Sequence, residues 1–256
     1  MHKCDIYSRV GRFLNFIKNF WCVNCFQLVD VAVGCNLMSR FLVIAIDGTA
    51  ASGKTTTSLA VAKKYNLMVV TTGMYYRAIT LFMIKSGVDS GDLTAIENLL
   101  RLIELSYFLD DNASRIAINN IRFSDSELRS EVVNSHVAKY SSVPAIREFL
   151  IDFQRNQVGI ARDNGFCGIV MEGRDITSVI LPHADLKFFL VASENDRAKR
   201  RALDGELDCI KNRDKIDEAR TICGSDVTVI DTSINKLRDV IDIISEKIEK
   251  LGLVLA

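Results

Sequence analysis

The sequence predicts an α/β protein: a parallel sheet flanked by helices, interrupted by an inserted, partly β subdomain. Three observations predict it. Six consecutive apolar residues, Phe41 to Ile46, run into a glycine-rich loop that opens a helix. A second apolar stretch, Leu67 to Val70, follows at the spacing of a strand–helix–strand unit, which makes the sheet parallel. Residues 105–123 then change character to short strands separated by Asp/Asn turns.

The elements follow in order. Residues 41–46 form a buried-type strand, with too little alternation for a sheet wet on one face. Residues 48–55 read Gly-Thr-Ala-Ala-Ser-Gly-Lys-Thr, the G-x-x-x-x-G-K-[ST] spacing of a phosphate-cradling loop. Gly48 and Gly53 permit the tight turn, and the N–H groups of the loop form an anion nest at a helix start. Lys54 is placed to bridge β- and γ-phosphates, and the Thr55 hydroxyl to hold Mg²⁺. A helix over 54–65 leads to the strand 67–70. Thr71 to Arg77 opens a helix running to about Ile84, and 92–104 reads as helical. Ser106–Leu109 and Arg115–Ile118 flank the turn 110–114, and Asn119-Asn120 turns into Ile121–Phe123, giving an antiparallel meander. Helices are expected over 125–139 and 144–163. Gly168–Met171 is a further apolar strand, with Glu172-Gly173-Arg174-Asp175 at its carboxyl end, where open α/β sheets bind ligands. Strands follow at 186–191 and 227–230. The last helix carries Ile234, Leu237, Ile241, Ile244, Ile248 and Leu251 at steps of three and four, with Thr232 or Ser233 as its N-cap and Gly252 as its stop.

The 256-residue chain has 32 basic and 32 acidic side chains. Zero net charge argues against broad nucleic-acid or membrane-surface binding. Seven cysteines, an odd number, read as reduced cytoplasmic usage. Residues 1–37 are unlike the rest: they hold Cys4, Cys22, Cys25, Cys35 and the single Trp21. Cys22 and Cys25 have metal-ligand spacing, but no second pair matches them. Polar residues interrupt the stretch too often for a signal peptide or a membrane span. It reads as an N-terminal extension or a misassigned start, with Met38 three residues ahead of the first strand. The main domain is then 38–256.

Arg77, Arg147, Arg174, Arg213 and Arg220 stand at sheet ends or on the polar segment 194–220. A guanidinium grips phosphate with two parallel bonds, so converging arginines suit an enzyme that holds two anionic reactants side by side. Arg213, Asp217 and Arg220 are spaced four and three apart, on one helical face. Arg197 and Arg201 are also four apart. A GTPase needs Asp as the fourth residue of its guanine motif, but Asn235-Lys236-Leu237-Arg238 ends in Arg.

The segments GTAASGKTT, TTGMYYRA, PAIREFLIDFQR, EGRDITSVILPHADLKFFLVASENDRAKRR, RDKIDEAR and IDTS, in this order from Phe41 onward, resemble bacterial cytidylate kinases of the nucleoside monophosphate kinase family. The resemblance implies transfer of the ATP γ-phosphoryl group to CMP or dCMP. It implies an ATP cradle of Gly48, Thr49, Ala50, Ala51, Ser52, Gly53, Lys54, Thr55 and Thr56, with Arg197 and Arg201 lining the ATP side and Thr55 on Mg²⁺. It places Thr72, Arg77, Arg174 and Arg220 around CMP, Arg147 and Asp175 at the cytosine, and Arg213 and Asp217 at the sugar. Lys54, Arg174 and Arg220 carry the transition-state charge, and Asp47 or Glu172 holds the metal's waters. The meander becomes part of a nucleoside-monophosphate-binding insert, about 92–140, and about 202–224 becomes the lid. The partners implied are small nucleotides, not nucleic acid or a membrane, and the protein is expected to be a monomer.

This sequence departs from the family pattern at two places. Ala138 stands where the family has a serine that touches cytosine, with Ser135 and Ser141 as substitutes. The lid is shorter, and Thr221-Ile222-Cys223-Gly224 replaces its usual close. Two rival readings remain: a kinase of the same fold acting on UMP or another small acceptor, and a nucleotide-binding protein without turnover.

Overall fold

The computed structural model describes residues 40–203 and 224–252. The N-terminal extension, Met38, nearly all of the expected lid, and the candidate residues Arg213, Asp217 and Arg220 lie outside that range.

Five parallel strands form the centre: β1 (Leu42–Gly48), β2 (Leu67–Thr71), β6 (Gly168–Glu172), β7 (Leu186–Val191) and β8 (Thr228–Asp231). Their spatial order is β2-β6-β1-β7-β8. The chain therefore steps from β1 to β2 on one side, and later continues from β6 to β7 on the other, so β1 stands at the reversal of strand order. Register aligns the carboxyl ends. Ile46 and Thr71 both face Glu172, and Gly48 faces Leu190. All five residues of β6 are buried, which requires cover on both faces.

That cover comes from two groups of helices. α1 (Lys54–Tyr65) follows the glycine loop and packs on the strands and on α8 (Leu237–Lys250). α2 (Thr72–Lys85), α5 (Glu131–Ser142) and α6 (Pro144–Asp163) pack on one another and complete the main hydrophobic core.

The meander β3 (Leu105–Asp110), β4 (Ala113–Ile118) and β5 (Ile121–Arg122) is antiparallel, as the turns required. Asp111, Asn119 and Asn120 take the left-handed backbone that Asx residues tolerate. The meander is not a separate sheet. β4 joins the edge of β2, with Val69 paired to Ala113 and the Val69 N–H donating to the Asn112 carbonyl at 2.8 Å.

Three helix boundaries differ from the sequence reading. The helix expected over 92–104 is α3 (Leu93–Leu100), capped by the Asp92 carboxylate on the Ala95 N–H. Beyond it, Asn119 captures the Glu104 N–H, and the chain turns into β3. The helix expected over 125–139 is split into α4 (Asp125–Leu128) and α5. The break frees the carbonyls of Leu128 and Arg129, which are taken by Arg77 and Asn134. The last helix starts at Leu237, capped by the Asp239 carboxylate on the Lys236 N–H at 2.9 Å, not at Thr232 or Ser233. Its buried stripe is Val240, Ile244 and Ile248; Ile234 is 80% exposed. Thr232 and Ser233 fail as caps because tertiary contacts hold their hydroxyls first.

No helix among the described residues is long and apolar enough to cross a membrane.

Candidate active site

The glycine loop joins β1 to α1 at the carboxyl end of the sheet. Gly53 has φ +88° and Ala51 φ +57°, both in the left-handed region. Glycine is required at position 48 for a different reason from the one expected. A Cβ there would lie 2.2 Å from the Leu190 carbonyl oxygen, so the loop leaves β1 pressed against the β7 backbone. Lys54 is nearly buried, and its ammonium donates to the Gly48 carbonyl at 3.0 Å and the Thr49 carbonyl at 2.8 Å. A cation is thus held at the centre of the loop's own curve. Ser52 is fully buried and Ala50 1% exposed.

The Thr55 hydroxyl donates to Glu172 Oε1 at 2.8 Å. Glu172 ends β6 and is buried. A threonine hydroxyl and a carboxylate side by side are hard oxygen donors, the set that suits Mg²⁺ with its remaining positions on water and phosphate. Among the described residues, no group of three or more His, Cys, Asp or Glu side chains could hold a metal by itself.

Asp47 and Glu172 were interchangeable in sequence, and the geometry separates them. Both Asp47 oxygens are engaged. Oδ1 accepts the Ile176 N–H at 2.9 Å, and Oδ2 accepts the Thr177 N–H at 2.8 Å and the Thr177 hydroxyl at 2.6 Å. Asp47 therefore anchors the segment after β6, whereas Glu172 faces the Thr55 hydroxyl. That segment is a π-helical turn, Ile176–Ile180, which the sequence reading missed. Burial pushes the Asp47 carboxyl above its usual range, against the lowering effect of the Thr177 and Ile176 donors.

The anchor positions Gly173, Arg174 and Asp175. Asp175 forms an ion pair with Arg147 from α6, so the two residues expected at the base do meet. The carboxylate is nearly buried and the guanidinium about a quarter exposed, leaving the pair one open side. Arg174 is half-buried and donates to the Gly173 carbonyl at 3.2 Å. Thr72, at the start of α2, donates to the Glu172 carbonyl at 2.9 Å, and a Cβ on Gly173 would fall 2.4 Å from its Oγ1. Arg77 meets the insert, where Nη1 donates to the Leu128 carbonyl at 2.9 Å and to Asn134 Oδ1 at 2.7 Å. Ser135 and Ser141, the substitutes for the residue replaced by Ala138, both donate to carbonyls of their own helix.

α7 (Glu194–Leu203) carries the basic residues on the far side of the loop. Arg197 is 5% exposed. The side chain of Arg201 lies outside the described set. Arg200, which sequence spacing passed over, reaches the loop: Nη1 donates to the Ala51 carbonyl at 3.1 Å. Only its place within the DRAKRR run marked it, and nothing there separates it from its neighbours.

The family model for cytidylate kinase matches residues 44–250. A cytidylate kinase of Fusobacterium nucleatum is 33% identical over 225 residues, which cover 82% of this chain and 98% of that protein. The bifunctional pantoate ligase/cytidylate kinase of Prochlorococcus marinus strain AS9601 is 38% identical over 235 residues, covering 84% of this chain and 45% of that protein. The chain thus spans less than half the length of the bifunctional relatives and nearly all of the shorter one. Among solved structures, a gluconokinase from Sinorhizobium meliloti is similar at TM-score 0.46 and 12% identity, covering 83% of this chain and 94% of that one. The likeness to that structure is too distant to bear on activity. The family match runs from within β1 to the end of α8, across the loop, the Thr55–Glu172 bond and the Arg147–Asp175 pair, and by it this chain belongs to the cytidylate kinase family.

Proposed function

We propose that this chain transfers the γ-phosphoryl group of ATP to CMP and dCMP, giving ADP and CDP or dCDP. One observation carries the acceptor assignment: Glu172, bonded to Thr55, and Asp175, paired with Arg147, lie three positions apart, at the end of β6 and just beyond it. Glu172 belongs to the donor side. The Arg147–Asp175 pair offers a carboxylate and a guanidinium to a base edge. A carboxylate accepts from the exocyclic amine of cytosine and repels the carbonyl oxygen that uracil carries there.

In this reading the amides of Gly48 to Thr56 and Lys54 cradle the donor phosphates, with Arg197 and Arg201 on the ATP side. Thr55 and Glu172 would hold Mg²⁺, directly and through water; the ion supplies charge neutralisation between the phosphates when bound. Arg174, Arg77 and Thr72 receive the acceptor nucleotide, joined by Arg220 at its phosphate and by Arg213 and Asp217 at its sugar. Transfer is in line, with no covalent enzyme intermediate. The nucleophile is a CMP phosphate oxygen, already ionised at neutral pH, so the chain need supply no strong base. Its task is to hold two anions in contact and to stabilise the charge of transfer through Lys54, Arg174 and Arg220. The reading includes a cytoplasmic monomer whose partners are small nucleotides, with no nucleic acid and no membrane.

A coupled assay with Mg-ATP and CMP, dCMP, UMP, AMP and shikimate tests this. CMP and dCMP should be used far better than the others. Turnover chiefly on UMP would favour the same fold acting on another acceptor, and binding without ADP release would favour a non-catalytic binder. Arg174→Ala should raise the CMP KM roughly 10–100-fold, the cost of losing charged bonds to phosphate, with the ATP KM nearly unchanged. Unaltered CMP kinetics would remove Arg174 from the acceptor site.

A further inference from the structure

The phosphate loop is tied down from its outer side. Arg200 donates from Nη1 to the Ala51 carbonyl at 3.1 Å and to Thr232 Oγ1 at 3.0 Å, and from Nη2 to the Thr232 carbonyl at 2.7 Å. The Thr232 hydroxyl lies 3.0 Å from the Ser52 carbonyl and 3.1 Å from the Val191 carbonyl. Thr232 follows β8 directly, is nearly buried, and donates its own N–H to the Val191 carbonyl at 2.8 Å. Two successive loop carbonyls, Ala51 and Ser52, are therefore held by one guanidinium, carried on α7, and one hydroxyl, carried on the turn directly after β8.

The consequence follows from peptide geometry. In a planar trans peptide, the C=O of one residue and the N–H of the next point to opposite edges. Holding the Ala51 carbonyl toward Arg200 turns the Ser52 N–H across the loop, where it donates to the Thr49 carbonyl at 3.3 Å and closes the loop's turn. Holding the Ser52 carbonyl turns the Gly53 N–H the same way. The first bond fixes the curve of the loop, and the Gly53 N–H is an amide that an anion nest needs aimed inward. Ala51 adopts φ +57° without a glycine's freedom, so its backbone needs external support to stay there.

We propose that Arg200, acting with Thr232, is a positioning residue of the phosphate loop. It sets the directions of the amides that receive the phosphates of the donor nucleotide. A planar, permanently charged fork is needed because three acceptors in different directions must be met at once. This deepens the kinase reading on its donor side, and rests only on the part of it that has the loop binding a nucleoside di- or triphosphate.

The test uses the full chain and measures ADP affinity by calorimetry, together with the separate KM values for ATP and CMP. Arg200→Ala should weaken ADP binding roughly tenfold or more and raise the ATP KM in parallel, leaving the CMP KM near wild type. Arg200→Lys should recover part of the loss, because an ammonium can meet some of the acceptors but not the whole fork. Thr232→Val keeps the shape, removes only the hydroxyl, and should weaken ADP binding in the same direction. The double variant Arg200→Ala/Thr232→Val should lose little more than the larger single, since both act on one arm of the loop. If the two losses add in full, Arg200 acts independently of Thr232 and the proposal fails. ADP affinity within about twofold of wild type in Thr232→Val, or in Arg200→Ala, also overturns it. If Arg200→Ala does not fold, the lysine and valine variants decide. ADP binding needs no acceptor, so failure of CMP as a substrate leaves this test intact. Equally, unchanged ADP affinity leaves the acceptor assignment standing.

Discussion

Lys54→Ala is expected to lower kcat by about three orders of magnitude while the folded state survives. The ammonium is a cation held inside the curve of the loop by the Gly48 and Thr49 carbonyls. On binding a nucleotide it exchanges those acceptors for phosphate oxygens, whose charge grows as the bond to the transferred group breaks. An interaction that strengthens toward the transition state appears in kcat, not in KM alone. The loss should therefore exceed any loss of ADP affinity, and the two are measured separately by coupled turnover and by calorimetry. Lys54→Met, which keeps the buried stem, should be as inactive as Lys54→Ala. A methionine variant retaining near-wild-type kcat would show that the charge is not what acts.

Asp47→Ala is expected to cost stability as well as activity. Removing the carboxylate leaves the N–H groups of Ile176 and Thr177 and the Thr177 hydroxyl without their acceptor, in a buried place. Each unsatisfied buried donor costs roughly 1–3 kcal/mol. Relief of the buried charge offsets part of this, so a net loss of about 3 kcal/mol is expected. For a chain of this size that lowers Tm by roughly 6–12 °C. Arg174 and Asp175 hang from the same anchor, so the CMP KM should rise more than the ATP KM. Asp47→Asn should fall between: its one oxygen can still accept, but its amide group meets an N–H where the second oxygen stood. A wild-type Tm in Asp47→Ala, read by calorimetry, would mean the π-turn holds itself.

The same anchor shows why one part of the site was illegible in sequence. Asp47 and Glu172 are both acids at the end of an apolar strand, and either could serve a metal. What distinguishes them is which carboxylate faces backbone donors and which faces Thr55, and that depends on how β1 and β6 pair. The π-turn was missed because Ile-Thr-Ser-Val-Ile carries no period of its own; its register is imposed by Asp47 from another strand. Arg200 was passed over for a related reason. In DRAKRR, four basic residues among six, spacing singled out 197 and 201, whereas the choice of 200 belongs to where β8 ends.

What the sequence determined by itself was local or strictly periodic. The glycine loop, the strand on either side of it, the turns of the meander and the buried-type strands 168–171 and 186–191 are each specified within a few residues. That Arg147 and Asp175 would both stand at the cytosine came through resemblance; that the two side chains form an ion pair is seen only in the structure. Tertiary structure alone decided the places where two distant segments compete for one polar group. Thr232 and Ser233 look like helix caps but are drawn to the loop and to Ser193, so the last helix starts at Leu237. The helix over 125–139 breaks where Arg77 and Asn134 take carbonyls that a continuous helix would have used. For Thr232 the local preference as a cap is worth about 1 kcal/mol, and its buried hydrogen bond to the Ser52 carbonyl, far along the chain, outweighs it.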